Sequence, residues 1–366
     1  MTTGSRHFFP GGNTPNGFFS FYHDLIGGEN RKTLILKGGP GVGKSTFMKR
    51  IATELVRDNR QAEFYHCSAD YNSLDGVCFP DIGVTILDGT APHVVDPKHP
   101  GAIDEIVNLG EYWHAPALRS NRGAIISLTQ EIARLFRKAY GFLRSARNYY
   151  DEHLSYYADA GAVNIRRWRE IVGLLEAEYL PKRAIIPGYR ERHLFATAIT
   201  PVGPMSLLSS VTLECQNIVV LEGEPGTGTE YIIEHLFRIA QCRGYAIHAF
   251  HCVMRPELIE HLVIPQLSLG IVTSRNVHPF QSGGTRIENL NSLVDGSALS
   301  AMRIDMDCVL GESKRALQLA ISFLARAKAL HDELETYYIP HMDFARVDAR
   351  REQVLKELRE MAVHTL

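Results

Sequence analysis

The chain is written twice. GGPGVGKS, which begins at Gly38, returns as GEPGTGTE from Gly223, a shift of 185 residues. The same shift carries His66-Cys67 to His251-Cys252, Pro80 to Pro265 and His93 to His278 without a gap. Upstream, a shift of 186 maps Arg6-His7 onto Arg192-His193 and Thr14-Pro15 onto Thr200-Pro201. Downstream, a shift of 181 maps Phe142-Leu143 onto Phe323-Leu324, Asp151-Glu152 onto Asp332-Glu333 and Tyr156-Tyr157 onto Tyr337-Tyr338. The period is domain-sized, far above the roughly 20–50 residues of a solenoid repeat. We therefore expect two tandem domains, 1–185 and 186–366, meeting near Ile185 where PKRAIIPGYRERH supplies prolines and charge.

Composition agrees with this and removes other classes. At roughly 150 residues per domain, 366 residues make two or three domains. Lys plus Arg total 39 and Asp plus Glu 41, so the net charge of −2 argues against a nucleic-acid or membrane coat. No stretch approaches the ~20 apolar residues of a membrane span. MTTGSRHFFPGG has no apolar core or small-residue cleavage site, so no signal peptide is expected. No nucleic-acid-binding motif is recognisable. Cys67, Cys78, Cys215, Cys242, Cys252 and Cys308 form no CxxC pair and are expected to be reduced, in a cytoplasmic protein.

Each repeat reads as α/β. Thr33–Leu36 is an apolar run that predicts a buried strand. Ser45–Arg57 predicts a helix, with Phe47, Ile51 and Leu55 on one face. Glu63–His66 and Gly83–Leu87 read as two more strands. Strand, glycine loop, helix, strand is a βαβ unit, which implies a parallel sheet covered on both faces. Ile125–Tyr157 predicts a long helix, repeated from Leu317 to Tyr337, with a further helix at Arg167–Tyr179 folding back on the first. These helices either pack as core between the units or close as a lid.

The first loop fits G-x-x-x-x-G-K-[ST], the phosphate-binding pattern. Its glycines admit a sharp turn and close approach of backbone to an anion. N–H groups from Gly41, Gly43 and Lys44, with the following helix N-terminus, are placed to bind ATP phosphates, and Gly39 and Val42 complete the nucleotide-binding loop. Lys44 would reach the β- and γ-phosphates, Ser45 would ligate Mg2+, and Thr46 would touch the α-phosphate. Asp88, at the end of a neighbouring strand, is the expected second Mg2+ residue. Its alternative is a turn residue before Gly89.

Asp70 is the first choice for a base or water-orienting role, with Asp75, His93 and Asp96 nearby. The apparent gap from Asp70 to Pro80 reads as a roomy loop. His66-Cys67 and His251-Cys252 are poor metal pairs, because adjacent strand residues point to opposite faces.

The second loop keeps the glycines and loses the charges. Lys44 becomes Thr229, Ser45 becomes Glu230 and Asp88 becomes Thr273. A charged hydrogen bond is worth roughly 1.5–3 kcal/mol. A carboxylate about 4 Å from phosphate charge costs on the order of 4 kcal/mol at an effective dielectric of about 20. Together these offset most of a micromolar affinity of about 8 kcal/mol, so no Mg-ATP hydrolysis is expected there. Two such units can pack as an intramolecular pseudo-dimer, one lending an arginine to the other. Arg275, Arg144 and Arg147 compete for that job.

The blocks RHFFPGGNTPNGF, GGPGVGKST, HCSADYNSLDGV and ILDGTAPHVVDPKHPGAIDEIVNLG resemble a bacterial family of tandem P-loop NTPase proteins of about this size. The resemblance covers essentially the whole chain. It implies two tandem P-loop NTPase-like domains, with Gly38 through Ser45 on ATP phosphates and Asp88 serving the metal. Members are labelled ATPase, ATP-binding or nucleotide-kinase-like. The second loop of such proteins often keeps Lys and Ser, so Thr229 and Glu230 depart from the pattern. Three functions follow as expectations: an Mg-dependent ATPase working through the first loop, a small-molecule or nucleotide kinase, and an ATP-sensing scaffold with little turnover.

Overall fold

A computed structural model describes residues 5–25, 30–91, 94–182, 190–275, 280 and 283–363. Ile185 and His93 lie outside the described residues.

The first half runs β1 (Arg6–Phe8), β2 (Gly11–Thr14), β3 (Gly17–Ser20), α1 (Tyr22–Leu25), β4 (Lys32–Lys37), α2 (Lys44–Arg57), β5 (Glu63–His66), β6 (Leu74–Phe79), β7 (Val84–Asp88) and β8 (Asp104–Asn108). Helices α3 (Ala115–Ser120), α4 (Arg122–Asp159) and α5 (Ile165–Tyr179) follow. The second half runs β9 (Glu191–Leu194), β10 (Thr197–Thr200), β11 (Gly203–Ser206), α6 (Leu208–Val211), β12 (Asn217–Glu222), α7 (Thr229–Cys242), β13 (Ile247–His251), β14 (Ile259–Ile264), β15 (Leu269–Ser274) and β16 (Arg286–Asn289). Helices α8 (Arg303–Glu335) and α9 (Phe344–Val363) complete it.

The two large sheets have one topology. The first has the order β1-β5-β6-β7-β4-β8, and the second β9-β13-β14-β15-β12-β16. Even a break in register recurs, between Tyr65 and His66 in one and between Phe250 and His251 in the other.

The sheets are mixed, not parallel as expected. Strand β6 runs antiparallel to both β5 and β7, as β14 does to β13 and β15. The reason is length. Connections 67–73 and 80–83 are too short for the crossover of about a dozen residues that parallel strands need. The stretch read as a roomy loop is therefore largely a central strand. Its apolar alternation at Leu74, Val77 and Phe79 is blurred by Asp75, Gly76 and Cys78.

One face of the first sheet packs on α2, through Leu34 and Leu36 against Phe47, Met48, Ile51 and Leu55. The other face meets the second sheet. Ile35, Tyr65 and Leu87 share a core with Val220, Phe250 and Val272. A second core joins the halves under the long helices, from Phe9, Phe21, Leu143, Phe195 and Leu324. Phe9 and Phe195 exchange backbone hydrogen bonds at 3.0 and 2.9 Å.

Helix α5 does not fold back on α4 as expected. It crosses to the second half, where Ile171, Val172 and Leu175 join the core beneath α7. In return α9 crosses to the first half, and Val347, Val354, Leu355 and Leu358 join the core beneath α2. Each such side chain contributes roughly 1.5–3 kcal/mol by leaving water. Between these elbows α4 and α8 pack antiparallel. Ser313 donates to the Ala146 carbonyl at 2.8 Å, His153 Nδ1 meets the Met306 carbonyl at 3.2 Å, and Phe142 stacks on Phe323. These helices form core and mutual cover. A strip of sequence repeat and a unit of packing are therefore different divisions of this chain.

A histidine pair is also duplicated. His66 donates from Nδ1 to the Tyr71 carbonyl at 3.0 Å, which leaves Nε2 to accept from His7 Nδ1 at 2.8 Å. His251 and His193 repeat this, with Pro256 supplying the carbonyl. Burial lowers His7 and His66, and burial with the facing His193 holds His251 down at about 4. The unfolded chain takes up these protons below about 6.5, while the folded chain resists. Stability is thus complete above pH 6.5 and falls as pH drops toward 4, by up to about 3 kcal/mol from His251 alone. Urea unfolding at pH 7.5, 6 and 5 measures this; a flat profile contradicts it.

Candidate functional site

The first glycine loop joins the buried strand β4 to α2. Gly41 at φ +68° and Gly43 at φ +93° take left-handed conformations that favour glycine. Gly43 caps α2 with no side-chain hydrogen bond, so no cap side chain covers the helix N-terminus. Val42 is buried beneath the loop, and Thr46 is exposed on the first turn of α2.

Lys44 folds back over this loop. Its Nζ donates to the carbonyls of Gly38 at 3.1 Å and Gly39 at 2.9 Å. It also lies 3.6 Å from Asp88 Oδ2, with both side chains largely buried. Asp88 ends β7, directly beside Leu36 of β4. Its Oδ1 accepts from the backbone N–H of Thr90 at 2.9 Å and from the Thr90 hydroxyl. The turn role and the site role thus use different oxygens of one carboxylate.

Ser45 Oγ accepts from the Leu74 N–H at 2.9 Å, which leaves a lone pair for a further partner. Ser45 and Asp88 together offer oxygen donors, the kind magnesium takes. The residues present fit a phosphate with its metal.

The other candidates separate. Asp70 Oδ2 accepts from Ser73 Oγ at 3.0 Å and faces Lys328 Nζ of α8 at 3.4 Å. Asp75 is not in a loop. It is buried on β6, and burial together with its charge drives the Cys67 thiol and the Tyr22 hydroxyl upward. Asp96 is exposed and pairs with Lys37, which ties that loop down through the Gly89 and Val95 carbonyls. The three arginines considered for the first loop are engaged elsewhere. Arg144 donates to the Pro15 carbonyl, Arg147 pairs with Glu257 and Asp151, and Arg275 lies at the second loop.

The sequence reading missed what covers the first loop. The α8–α9 elbow of the other half sits on it. A Cβ on Gly39 would stand 2.8 Å from the Tyr338 ring, and one on Gly41 would stand 2.9 Å from Ile339 and 3.2 Å from Glu335. The elbow is pinned by hydrogen bonds from His114 N to His341 O and from Asp343 N to Tyr112 O, both 2.8 Å. Trp113 packs near Tyr338, their ring centroids 6.0 Å apart. One signal was legible: the 181-residue shift pairs Tyr338 with Tyr157 and Lys328 with Arg147, so both elbows share chemistry.

The second loop has the same backbone and another filling. Gly226 and Gly228 are left-handed, at φ +96° and +86°. Tyr157 and Trp168 of the α4–α5 elbow cover it, and Trp168 Nε1 donates to the Gly228 carbonyl at 3.3 Å. Thr229 is buried and accepts from Arg275 Nη2 at 3.3 Å. Arg275 also donates to the Tyr150 hydroxyl at 2.9 Å and lies 3.7 Å from Glu260. Burial alone would discharge Arg275, but Tyr150 and Glu260 hold it firmly charged. Glu230 faces Arg255 at 3.7 Å, and Arg255 faces Asp151 at 3.7 Å. With Arg147 on Asp151 and Glu257, three cations and four carboxylates form a network with a net negative charge.

His66-Cys67 and His251-Cys252 form no common ligand set. The histidines bind their partner histidines, and the six cysteines are all unbridged thiols. Among the described residues, no helix is long and apolar enough to cross a membrane. Comparison with known protein families, curated proteins and solved structures finds no match.

Proposed function

We propose that this protein is an Mg-dependent ATP-binding protein or ATPase that works through the first glycine loop of a tandem P-loop pseudo-dimer. One observation carries the reading: Lys44 lies 3.6 Å from Asp88 beside an uncapped helix N-terminus, between the adjacent parallel strands β4 and β7. In that site Lys44 would neutralise β- and γ-phosphate charge, and Ser45 and Asp88 would hold Mg2+. The bound nucleotide would supply the transferable γ-phosphoryl group. Asp70 is our candidate to orient water, since Ser73 holds its carboxylate by a 3.0 Å hydrogen bond.

The second loop serves as a structural or regulatory unit, because its own charged side chains pair with one another and leave net negative charge. The ATP-sensing scaffold stays as a second reading. It is favoured by the elbow on the first loop, which ties any change there to the opposite half. The kinase reading loses one of its sequence supports, since residues 74–79 form a strand instead of an open acceptor loop.

ATP consumption with and without a library of metabolites and nucleotides is the test. Turnover that ignores additives is expected. A phosphorylated additive would select the kinase, and tight binding without turnover the scaffold. Absence of ATP binding would sink the proposal.

A further inference from the structure

The long helices bring a cation of one half against the other. Lys328 of α8 points its ammonium at Asp70, 3.4 Å away, and also pairs with Asp332 of its own helix. Asp70 is tied to the first glycine loop by a short chain of bonds. Ser73 Oγ donates to Asp70, and the next residue, Leu74, donates its N–H to Ser45 Oγ at 2.9 Å. Two turns further along α8, Glu335 stands against Gly41. The helix therefore meets the first half at two points about 10 Å apart, Asp70 in the 67–73 connection and Gly41 in the glycine loop.

The other half shows the same device in another setting. Arg147 holds the equivalent position on α4, and Asp151 stands in for Asp332. There the residue at the Asp70 position is Arg255, so the helix cation meets another cation and turns to Glu257. Lys328 has no such competitor. Its two carboxylate partners are part-exposed, at 31% and 53% for Asp70 and Asp332, and its own four-carbon stem is flexible. Those pairings are weak enough to yield. A triphosphate seated on the loop brings several negative charges toward Asp70, which would repel its outer end without an added cation.

We infer that Lys328 completes the phosphate site from across the chain, its ammonium contacting the terminal phosphate of a nucleoside triphosphate beside Asp70. This rests on the nucleotide-binding reading above and goes beyond it. It makes the second half necessary for telling a triphosphate from a diphosphate.

Titration calorimetry of Mg-ATP and Mg-ADP against the full chain tests this, with K328M, K328R and D332N. K328M keeps the apolar stem and loses the charge. It is expected to weaken ATP binding at least tenfold while ADP binding stays within twofold. K328R should recover most of the difference, and D332N, which frees the lysine, should keep the wild-type ratio. An unchanged ATP-to-ADP ratio in K328M, with the wild type binding both, overturns this inference and leaves the nucleotide site standing. Equal loss of both nucleotides in K328M and K328R also overturns it, as it marks a structural role. A wild-type chain that binds neither nucleotide overturns the underlying reading instead.

Discussion

Lys44→Ala is expected to lose Mg-ATP binding by about 100-fold or more, while Thr229→Ala changes it by less than about threefold. Lys44 is the cation bonded to the Gly38 and Gly39 carbonyls and set 3.6 Å from Asp88. Each charge-assisted bond to phosphate is worth roughly 1.5–3 kcal/mol, and two phosphate groups depend on this ammonium. Removing it also leaves Asp88 uncompensated beside the incoming charge. Thr229 stands at the same place in the second loop, but it binds Arg275 and Glu230. Calorimetry on both variants decides the matter. Equal losses would mean that the halves are equivalent sites, against the asymmetry argued here.

Glu63→Ala is expected to cost about 3 kcal/mol of stability, because it takes from the part-buried Arg192 its carboxylate and leaves Arg6 only Glu214. Glu63 is 2% exposed. Arg6 of the same half donates to it at 2.6 Å, and Arg192 of the other half grips both carboxylate oxygens at 3.1 and 2.5 Å. Burial would raise its pKa, but Arg192 and Arg6 overcome this and hold it at about 2. The repeat gives the matching position to His248, which burial and Arg192 keep neutral, at about 3. One carboxylate therefore serves two arginines where the halves meet. Denaturant unfolding measures the loss, and a change below about 1 kcal/mol would contradict the account. The sign of the pH effect follows. Glu63 is depressed in the fold, so its contribution is full above about pH 4.5 and fades as pH falls toward 2.

Much of the local structure was legible. The strands at β4, β5 and β7, the helix after the glycine loop and α4 lie within a few residues of their expected positions, whereas α8 begins at Arg303, 14 residues before the expected Leu317. These elements carry strong patterns: continuous apolar runs, or apolar residues at helical spacing. Strand β6 was not legible, because Asp75 and Gly76 interrupt it and its pairing depends on neighbours. Asp75 shows the consequence. A carboxylate that looks available in a loop is buried in a sheet once the strand forms.

By itself the sequence determined the duplication, the α/β character and the asymmetry of charge between the two glycine loops. Residue identity at fixed spacing carries all three. Only the tertiary structure decided which helix covers which sheet, that Tyr338 covers the first loop while Lys328 meets Asp70, and that Arg275 and Glu230 pair within the second. Those pairings join residues far apart in the chain. An apolar helical face records that it must be buried, but not against which of two similar sheets. In this fold α5 and α9 each bury theirs against the sheet of the opposite half.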